Sequence, residues 1–315
     1  MVKNRIGIDV GGTNVKIALV NDKGNILYSN SVPTRAEMGY EYTVNNIKQA
    51  IRDLITETGV TNIEGIGFDF PGQIDYKNGI VRLAPNIPGW VNIPIAKIIE
   101  DEFKIPTRID NDVHCAALGE LKFGAGQDCE NFICMTVGTG IGSGIVINGK
   151  LVRGASNAAG ELGHIKLQMH EGPLCGCGDY GCLEAFASGP SIVAMAEEYI
   201  SGGKSTKFRE MASGGEITPY IVAEAAKLGD PVAKRIFTKV GEYIGFGLAS
   251  VVNLLNPEKI IIGGGVADAG DILIEPIKET IKKRAMVVAG SAVEIVPAKL
   301  ANTAGVIGAS LLIES

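Results

Sequence analysis

The chain has 315 residues, of which 46% are hydrophobic and 20% charged, a composition typical of an ordered globular protein with room for about two domains. The net charge of −6 excludes a diffuse basic field of the kind that holds nucleic acid or an anionic membrane. Glycine is the outlier: it accounts for 42 of the 315 residues, about 13%, against a usual share of about 7%. Because the glycines stand in short clusters beside apolar runs, we expect loops whose backbone comes close to a ligand.

The N-terminus and the cysteines indicate a cytoplasmic protein. Asp9 and Lys16 interrupt the first apolar stretch, so it is not a signal peptide. The longest uncharged run, 131–148, is glycine-rich and too short for a membrane span. Six cysteines are too few for a disulfide scaffold. Cys115, Cys129 and Cys134 are scattered, whereas Cys175, Cys177 and Cys182 are clustered. We therefore expect reduced thiols with one candidate metal site.

Apolar patterning in the first half predicts alternating strands and helices. Three β-rich runs, RIGIDV, KIALV and ILYSNSVPT, are separated by turns and predict three strands. Residues 42–58 place apolar side chains on one helical face, and IEGIGFDF predicts a buried strand that ends at Pro71 and Gly72. The stretch 95–103 predicts a helix, and PTRIDND predicts a strand that leads into a helix over 114–123.

The second half continues this alternation after a loop-rich segment, 153–189. The periodicity predicts a helix over 231–256, followed by KIIIGGGV as a buried strand that stops in three glycines. DILIEPIKETIKKRA predicts a helix with its proline tolerated near the start, and NTAGVIGASLLIE predicts a closing helix. The alternation indicates the α/β class.

Two strand–turn–strand segments resemble each other. Residues 9–21 read DVGGTNVKIALVN, and residues 136–148 read TVGTGIGSGIVIN. Two unrelated glycine hairpins would also explain the likeness. We favour a duplicated unit, with each half starting from a hairpin whose glycine turn faces a shared cleft.

Three glycine turns follow strands and begin at Gly11, Gly138 and Gly263. Glycine has no Cβ, so backbone N–H groups in such turns can approach a phosphate. One turn is weak evidence, because tight strand connections need glycine anyway, but three in an α/β chain favour a nucleotide. The sequence contains no Walker A loop, and no dinucleotide-binding turn in its usual strand–helix setting.

Asp110, Asn111 and Asp112 place two carboxylates around an amide. A kinase that acts on an alcohol needs a carboxylate to accept the hydroxyl proton. Strand alternation would send both carboxylates to one face and Asn111 to the other, unless the strand has already ended. Equally, the segment could cap the next helix through Asp112.

A histidine and three cysteines have the residue types of a zinc site. His164, Cys175, Cys177 and Cys182 offer one imidazole and three thiolates, which can close a tetrahedral structural site. Buried free thiols with a surface histidine are the alternative, because C-x-C is not the commonest zinc spacing. Glu161 precedes His164 by three residues, so on a helix the two would share a face.

Taken together, the motifs resemble the ROK family of sugar kinases and repressors. They cover nearly the whole chain in the family's order: DVGGTNVK, FPGQID, APNIPGW, IDNDVHCAALGE, VGTGIGSGIV, AGELGHI, CGCGDYGCLEAFASG and IIIGGGV. The resemblance implies an α/β, two-lobed actin-like ATPase (ribonuclease H-like) fold with a duplicated βββαβα core and an interlobe cleft. It implies a small lobe over 1–112 and 297–315, and a large lobe over 113–296 with the zinc loop and the adenosine site.

The resemblance also implies an activity: an ATP-dependent hexokinase of glucokinase type, which forms glucose 6-phosphate with Mg²⁺-ATP as donor. Asp112 would be the catalytic base and would contact the sugar, and Asp110 is unassigned. The other sugar contacts would be Gly72, Asn86, Asn111, Glu161, His164 and Glu184. The structural zinc would be held by His164, Cys175, Cys177 and Cys182, although the family's interval before the first cysteine is often one residue shorter.

On the nucleotide side, Asp9 would orient Mg²⁺ through water. The remaining ATP contacts implied by the resemblance are Gly11, Gly12, Thr13, Asn14, Lys16, Gly138, Thr139, Gly140, Gly264 and Gly265. Three of these residues also have structural interpretations that involve no ligand. Lys16 could be a solvent-facing strand residue, Glu161 a helix-cap partner and Glu184 a residue on a solvated face. Trp90, the one tryptophan, is expected to be a packing residue rather than a sugar platform.

Other functions are weaker interpretations. A kinase for another hexose, such as N-acetylmannosamine, N-acetylglucosamine, fructose or allose, would share most of these motifs. A sugar-sensing repressor would need a helix-turn-helix arm, whereas only a few residues precede the first strand, and a chaperone or filament protein gives no reason for the Glu161 and cysteine set. We expect a hexose and ATP as partners, no nucleic acid or membrane, and a homodimer or homotetramer by analogy.

Overall fold

The computed structural model describes residues 3–85 and 87–314 of the chain. The chain forms two compact units. The first comprises Met1–Asp128, Gly144–Ala159 and Lys299–Ser315, and the second comprises Cys129–Ser143 and Gly160–Ala298. Over the described ranges, no helix combines the length and the apolar character needed to cross a bilayer.

Residues 3–128 alternate strands and helices as the sequence predicts, with a small additional sheet. In chain order the elements are β1 (Asn4–Val10), β2 (Asn14–Asn21), β3 (Ile26–Pro33), α1 (Tyr40–Thr58), β4 (Ile63–Phe70), β5 (Gln73–Asp75), β6 (Ile80–Leu83), β7 (Val91–Ile93), α2 (Ile95–Phe103), β8 (Thr107–Asn111) and α3 (Asp112–Phe123). The antiparallel sheet β5-β6-β7 is not apparent from the sequence, because its strands are only three or four residues long.

The remaining residues repeat this order of elements with more helices inserted. They are β9 (Phe132–Val137), β10 (Ile141–Ile147), β11 (Lys150–Val152), α4 (Leu183–Ala187), α5 (Gly189–Ser201), α6 (Lys207–Ala212), α7 (Pro219–Lys227), α8 (Pro231–Leu255), β12 (Lys259–Gly263), α9 (Asp271–Arg284), α10 (Val287–Ala292), β13 (Glu294–Pro297) and α11 (Ala304–Leu311). One-turn 3₁₀ helices lie over Ala36–Met38, Leu162–His164, Gly265–Ala269 and Ala301–Thr303.

Two larger sheets have the same strand order, β3-β2-β1-β4-β8 and β11-β10-β9-β12-β13. In the first, β1 pairs antiparallel with β2 and parallel with β4. In the second, β12 pairs parallel with both β9 and β13, and β10 with β11 is antiparallel. The equal order confirms the α/β class and the duplicated core, and identifies the two glycine hairpins as equivalent turns.

Helices α3 and α9 differ from the sequence predictions. Helix α3 begins at Asp112 rather than at residue 114, because Asn111 provides the cap. The prediction that the proline of α9 lies near its start is wrong, since Pro276 lies inside the helix. A Cβ on Gly241 of α8 would come within 2.7 Å of the Pro276 Cβ, so a residue without a side chain lets the two helices pack closely there.

The backbone of helix α11 lies directly against glycines of the first sheet. A Cβ added to Gly7 of β1 would overlap the Val306 carbonyl, and one added to Gly67 of β4 would overlap the Ala309 carbonyl. A Cβ on Gly305 itself would overlap the carboxyl group of Asp69. This close backbone approach fixes the end of the chain beside the carboxyl ends of β1 and β4.

We expect Gly67→Ala to lower the free energy of unfolding by about 1–3 kcal/mol, because the overlapping atom is backbone and cannot rotate away. Urea unfolding of both proteins measures the difference. Gly202→Ala is the matched control, since its Cβ would meet nothing nearer than 3.3 Å and its φ of −73° suits alanine. Equal stability of the two variants would contradict the packing described for α11.

Candidate active site and metal centre

The turn between β1 and β2 presents exposed backbone that is held from behind. Gly11 N–H donates to Asn14 O at 2.9 Å, while Gly12 and Thr13 are exposed. The buried Thr34 donates from Oγ1 to Gly11 O at 2.6 Å and from its backbone to Thr13 O at 2.9 Å. The turn is therefore braced on its inner side and open where a phosphate could approach. Thr34 is a supporting residue that the sequence motifs did not reveal.

Charged residues lie in register across β2, β1 and β4. Lys16 pairs with Asp9 across the strands, with 3.4 Å between Lys16 Nζ and Asp9 Oδ2, and Asp69 stands beside Asp9 on β4. Burial raises the pKa of Asp9, and Lys16 opposes that shift. Asp69 is only 3% exposed, and burial, then Asp9 and Asp112, raise its pKa well above the usual range. The neutral acid is thus favoured at Asp69.

Asn111 caps the helix that carries Asp112. Asn111 Oδ1 accepts the Val113 N–H at 3.0 Å, and its Nδ2 donates to Gly72 O at 3.3 Å. The capping role considered for Asp112 is therefore taken by Asn111, and β8 ends before strand alternation can place Asp110 and Asp112 on one face. The bond to Gly72 brings two of the predicted sugar contacts together.

Asp112 has the ionisation properties of a general base. Burial raises its pKa to about 6, the Val113 N–H opposes the shift, and the Asp9 carboxylate adds to it. A carboxyl with a pKa near neutrality accepts protons more readily than an ordinary aspartate and is still mostly ionised at pH 7. The side chain lies in the first turn of α3 and is partly exposed, so a substrate can reach it.

The other residues predicted around the sugar in this unit have different outcomes. Trp90 is 1% exposed and packs against Phe70 and Tyr40, with ring centroids 4.6 Å and 6.2 Å away, which confirms a packing role. Gly72 has a φ of +106°, and a side chain there would overlap the Leu83 carbonyl. Asn86 lies outside the described residues.

The second unit brings two of the glycine turns together. Gly138 N–H donates to Gly140 O at 2.9 Å, which closes the turn after β9. Gly264, after β12, has a φ of +86°, and a Cβ there would overlap the Val137 backbone. Around Gly265 no described atom lies within 4 Å of a built Cβ, so this backbone is open to a ligand.

Glu161 lies beside His164, and Glu184 lies beside Cys175. Glu161 is exposed, and its Oε2 lies 3.9 Å from His164 Nε2 across the one-turn helix. Glu184 is half-buried: its Oε2 accepts the Ile141 N–H at 2.8 Å, and its Oε1 lies 3.6 Å from Cys175 Sγ. Glu184 is therefore not the solvated face residue that the sequence left open.

His164, Cys175, Cys177 and Cys182 converge on one point, with all four ligand atoms within 4.8 Å of one another. Cys177 Sγ and Cys182 Sγ are 3.7 Å apart, as are Cys175 Sγ and His164 Nδ1. Four ligands at tetrahedral corners about 2.3 Å from a zinc ion would be roughly 3.8 Å apart. The donor set and its spacing therefore fit zinc.

Lys166 is a further residue of the metal centre that the sequence motifs did not reveal. Its Nζ lies 2.9 Å from Cys182 Sγ and 2.7 Å from Asp179 Oδ2. Lys166 donates hydrogen bonds to the Asp179 carboxylate and the Cys182 sulfur, and these bonds raise the pKa of Lys166. Lys166 therefore places a positive charge beside one of the four candidate metal ligands.

Comparison with known proteins matches the ROK family model to residues 5–315. A glucokinase from Halalkalibacterium halodurans is 38% identical over 312 residues, covering 98% of this chain and 94% of that protein. A crystal structure of a ROK family glucokinase from Streptomyces griseus in complex with glucose and AMPPNP superposes with a TM-score of 0.84 at 34% identity, and 98% of each chain is covered. A xylose repressor from Caldicellulosiruptor bescii is 33% identical over 312 residues, covering 98% of this chain and 78% of that protein.

These matches agree with the fold and with the motif order read from the sequence. The actin-like ATPase fold of the solved ROK sugar kinases accounts for the repeated strand order of the two sheets. Because the family model extends over all but the first four residues, the chain belongs to the ROK family.

Proposed function

We propose that the chain is an ATP-dependent sugar kinase of glucokinase type, which phosphorylates the 6-hydroxyl of glucose. The observation that carries the proposal is Asp112, a partly exposed carboxyl group at the start of α3 with a pKa of about 6. The glucokinase relatives, similar over nearly the whole chain, support the same reaction.

In the proposed reaction, Asp112 accepts the proton of the 6-hydroxyl as the hydroxyl oxygen attacks the γ-phosphorus of ATP. The new P–O bond forms as the bond from that phosphorus to the β,γ-bridging oxygen breaks, which releases ADP and glucose 6-phosphate. Most of the catalysis in such a transfer comes from positioning and charge stabilisation. We assign the positioning of the sugar to Gly72, Asn86, Asn111, Glu161, His164 and Glu184.

The structure of each unit supports these sugar assignments separately. In the first unit, the Asn111 amide is oriented by its bonds to Val113 N–H and Gly72 O. In the second unit, Glu161 Oε2 lies 3.9 Å from His164 Nε2. A carboxylate can accept two hydroxyl hydrogen bonds, which suits a polyol and discriminates against deoxy analogues.

For the nucleotide, we assign phosphate and adenosine contacts to Gly11, Gly12, Thr13, Asn14, Lys16, Gly138, Thr139, Gly140, Gly264 and Gly265. When bound, Mg²⁺ would neutralise charge on the β- and γ-phosphates. Asp9 would hold it through water, because Mg²⁺ keeps several of its waters and the Asp9 carboxylate is a quarter exposed at the end of β1. Lys16, half-exposed beside Asp9, is suited to a phosphate.

We further propose that the four-ligand cluster holds a structural zinc ion. Its ligands are His164, Cys175, Cys177 and Cys182, whose spacing fits tetrahedral coordination. His164 would hold the ion through Nδ1, which lies 3.7 Å from Cys175 Sγ, while its Nε2 lies 3.9 Å from Glu161 Oε2. A ligand cluster of this kind would brace the loop that presents Glu161, His164 and Glu184 to the sugar.

Three more assignments rest on the sequence and the family resemblance alone. They are the lobes over 1–112 with 297–315 and over 113–296, assembly into a homodimer or homotetramer, and a cytoplasmic location. None of the six cysteines, all of which lie in the described part of the chain, forms a disulfide bond.

An assay of ADP release over a panel of hexoses and N-acetylhexosamines tests the function. We expect turnover that is highest with glucose, because relatives that match nearly the whole chain at 35–38% identity are named glucokinases. If the protein prefers N-acetylmannosamine, N-acetylglucosamine, fructose or allose, that sugar is the substrate instead of glucose. The proposed phosphoryl transfer from ATP would still hold. No turnover with any sugar would refute the kinase and favour a regulator, for which the similarity to a xylose repressor is the motivating observation.

A further inference from the structure

A buried ionic network joins β8, α3 and the segment 153–159 in the first unit. His114 Nδ1 lies 2.9 Å from Asp110 Oδ1, and Arg153 Nε donates to Asp110 Oδ2 at 2.7 Å. His114 Nε2 lies 3.0 Å from the carbonyl oxygen of Ala159. Asp110 is 1% exposed and His114 is 2% exposed, so water does not compete for these bonds.

Both ring nitrogens of His114 face groups that accept hydrogen bonds. The Ala159 carbonyl can only accept, so Nε2 carries a proton. Asp110 receives the Arg153 guanidinium on its other oxygen and is ionised, so Nδ1 carries a proton as well. Both ring nitrogens therefore stand where an N–H group is required, which is the arrangement of a doubly protonated imidazolium.

The charges of the network agree with this protonation state. Burial alone would lower the pKa of His114, but the Asp110 carboxylate outweighs it, and the pKa of His114 is raised. Burial alone would raise the pKa of Asp110, but His114 and Arg153 hold it below the usual range. Each partner therefore stabilises the charged form of the other.

We infer that the His114 imidazolium is a positioning residue for the proposed phosphoryl transfer, which ties the helical turn carrying Asp112 to the segment 153–159. The inference rests on the proposed function in taking Asp112 as the base. His114 stands two residues after Asp112 in the same turn of α3. Its bond to Ala159 and the Arg153 bond to Asp110 hold both ends of the segment, and Ala159 N–H donates to Arg153 O at 3.1 Å.

The segment held by this network leads along the chain directly to Glu161. At the other end of the segment, the guanidinium carbon of Arg153 lies 3.9 Å from the centre of the Tyr76 ring. A planar cation over an aromatic face is fixed in orientation as well as in place. One network thus holds both the helical turn that carries the proposed base and the segment that precedes a proposed sugar contact in the chain.

The imidazolium also acts on Asp112 through its charge. It favours the Asp112 carboxylate, against burial and the Asp9 charge, which disfavour it. Among the neighbouring groups, the Asp110 charge is offset by Arg153, while burial raises the pKa of both Asp69 and the Cys115 thiol well above their usual ranges and favours their neutral forms. His114 is thereby a source of positive charge for the base.

NMR of the full chain labelled with ¹⁵N-histidine tests the protonation state directly and requires no activity. We expect both nitrogens of His114 to remain protonated at pH 7, above the ordinary histidine pKa of about 6.5. The His114→Gln variant lacks the His114 signals, so comparing its spectrum with that of the wild type assigns them. A neutral His114 ring at pH 7 would overturn the inference, whether or not the protein phosphorylates glucose.

Kinetics of His114→Gln test the positioning role. We expect kcat for glucose to fall about tenfold, and the acid limb of its pH profile to move up by roughly half a unit to one unit, since the variant lacks the positive charge near Asp112. The matched control is His170→Gln, which changes an exposed histidine outside the network and leaves the profile unchanged. An unshifted acid limb in His114→Gln would overturn the role.

Unfolding at several pH values supplies a third readout. Because the folded-state pKa of His114 is raised, its contribution to stability is complete below the ordinary value of 6.5 and is lost as pH rises through the folded-state value. The wild type should therefore lose stability over that range relative to His114→Gln. Parallel curves for the two proteins would contradict the network.

A wild type that folds but phosphorylates no sugar would refute the proposed function and leave the NMR result standing.

Discussion

Asp112→Asn is expected to reduce kcat for glucose phosphorylation by about 10²- to 10⁴-fold, the usual contribution of a general base. The amide has nearly the shape of the carboxyl group but cannot accept the hydroxyl proton. Glucose affinity should change little, because the remaining proposed sugar contacts are intact. Steady-state kinetics give kcat, and calorimetric titration with glucose gives the dissociation constant.

The same substitution is expected to stabilise the protein at neutral pH. The folded-state pKa of Asp112, about 6, is above its ordinary value of 3.8, so the folded state binds more protons and loses stability as pH rises between these values. Asp112→Asn removes that penalty, and we expect it to raise the free energy of unfolding at pH 7.5 by on the order of 1–3 kcal/mol. Near pH 3, the two proteins should differ less.

Asp22→Asn is the matched control for both measurements. Asp22 is exposed in the turn between β2 and β3, so its variant should keep wild-type kcat and stability. Full activity in Asp112→Asn would refute the assigned base. Lower activity accompanied by lower stability at pH 7.5 would indicate that Asp112 is needed for folding instead.

Cys177→Ser is expected to abolish zinc binding, and the wild type to carry about one zinc ion per chain. Serine is a poor zinc ligand at neutral pH, and three remaining ligands cannot close a structural site. Cys177 is exposed, so its substitution leaves no cavity in the core. Metal analysis of the purified proteins by mass spectrometry measures the zinc content.

Loss of the metal should also affect the sugar reaction. Cys175 and Glu184 are in contact, and His164 is both a proposed ligand and a proposed sugar contact, so we expect kcat/KM for glucose to fall roughly 10- to 100-fold. Cys129→Ser, at a thiol outside the cluster, should retain zinc and activity. A wild type without metal, or a Cys177→Ser variant that retains it, would contradict the zinc site.

Local sequence patterns predicted much of the fold. The helix over 95–103 coincides with α2, and the strand IEGIGFDF coincides with β4. Both segments have a strong apolar period, which depends only on neighbouring residues. The small sheet β5-β6-β7 was not predictable in this way, because three-residue strands are too short to show a period.

The candidate site was predictable as a set of residue types and less so as an arrangement. Cys175, Cys177 and Cys182 stand close together in the chain, so their spacing alone indicated a metal site. Thr34, Asp69 and Lys166 gave no such signal. Each lies beside a site residue that is remote in sequence, such as Thr34 behind Gly11, and only the folded chain brings such pairs together.

The sequence by itself determined the α/β class, the duplication and the resemblance to the ROK family, because turn glycines, apolar periods and motif order are local properties. The tertiary structure decided what each residue of the Asp-Asn-Asp segment does. Asn111 became the helix cap, Asp110 was ionised by His114 and by Arg153 from 43 residues away, and Asp112 was left with a pKa near 6. These differences arise because burial and neighbouring charge set the ionisation of a carboxyl group, and both depend on residues far apart in the chain.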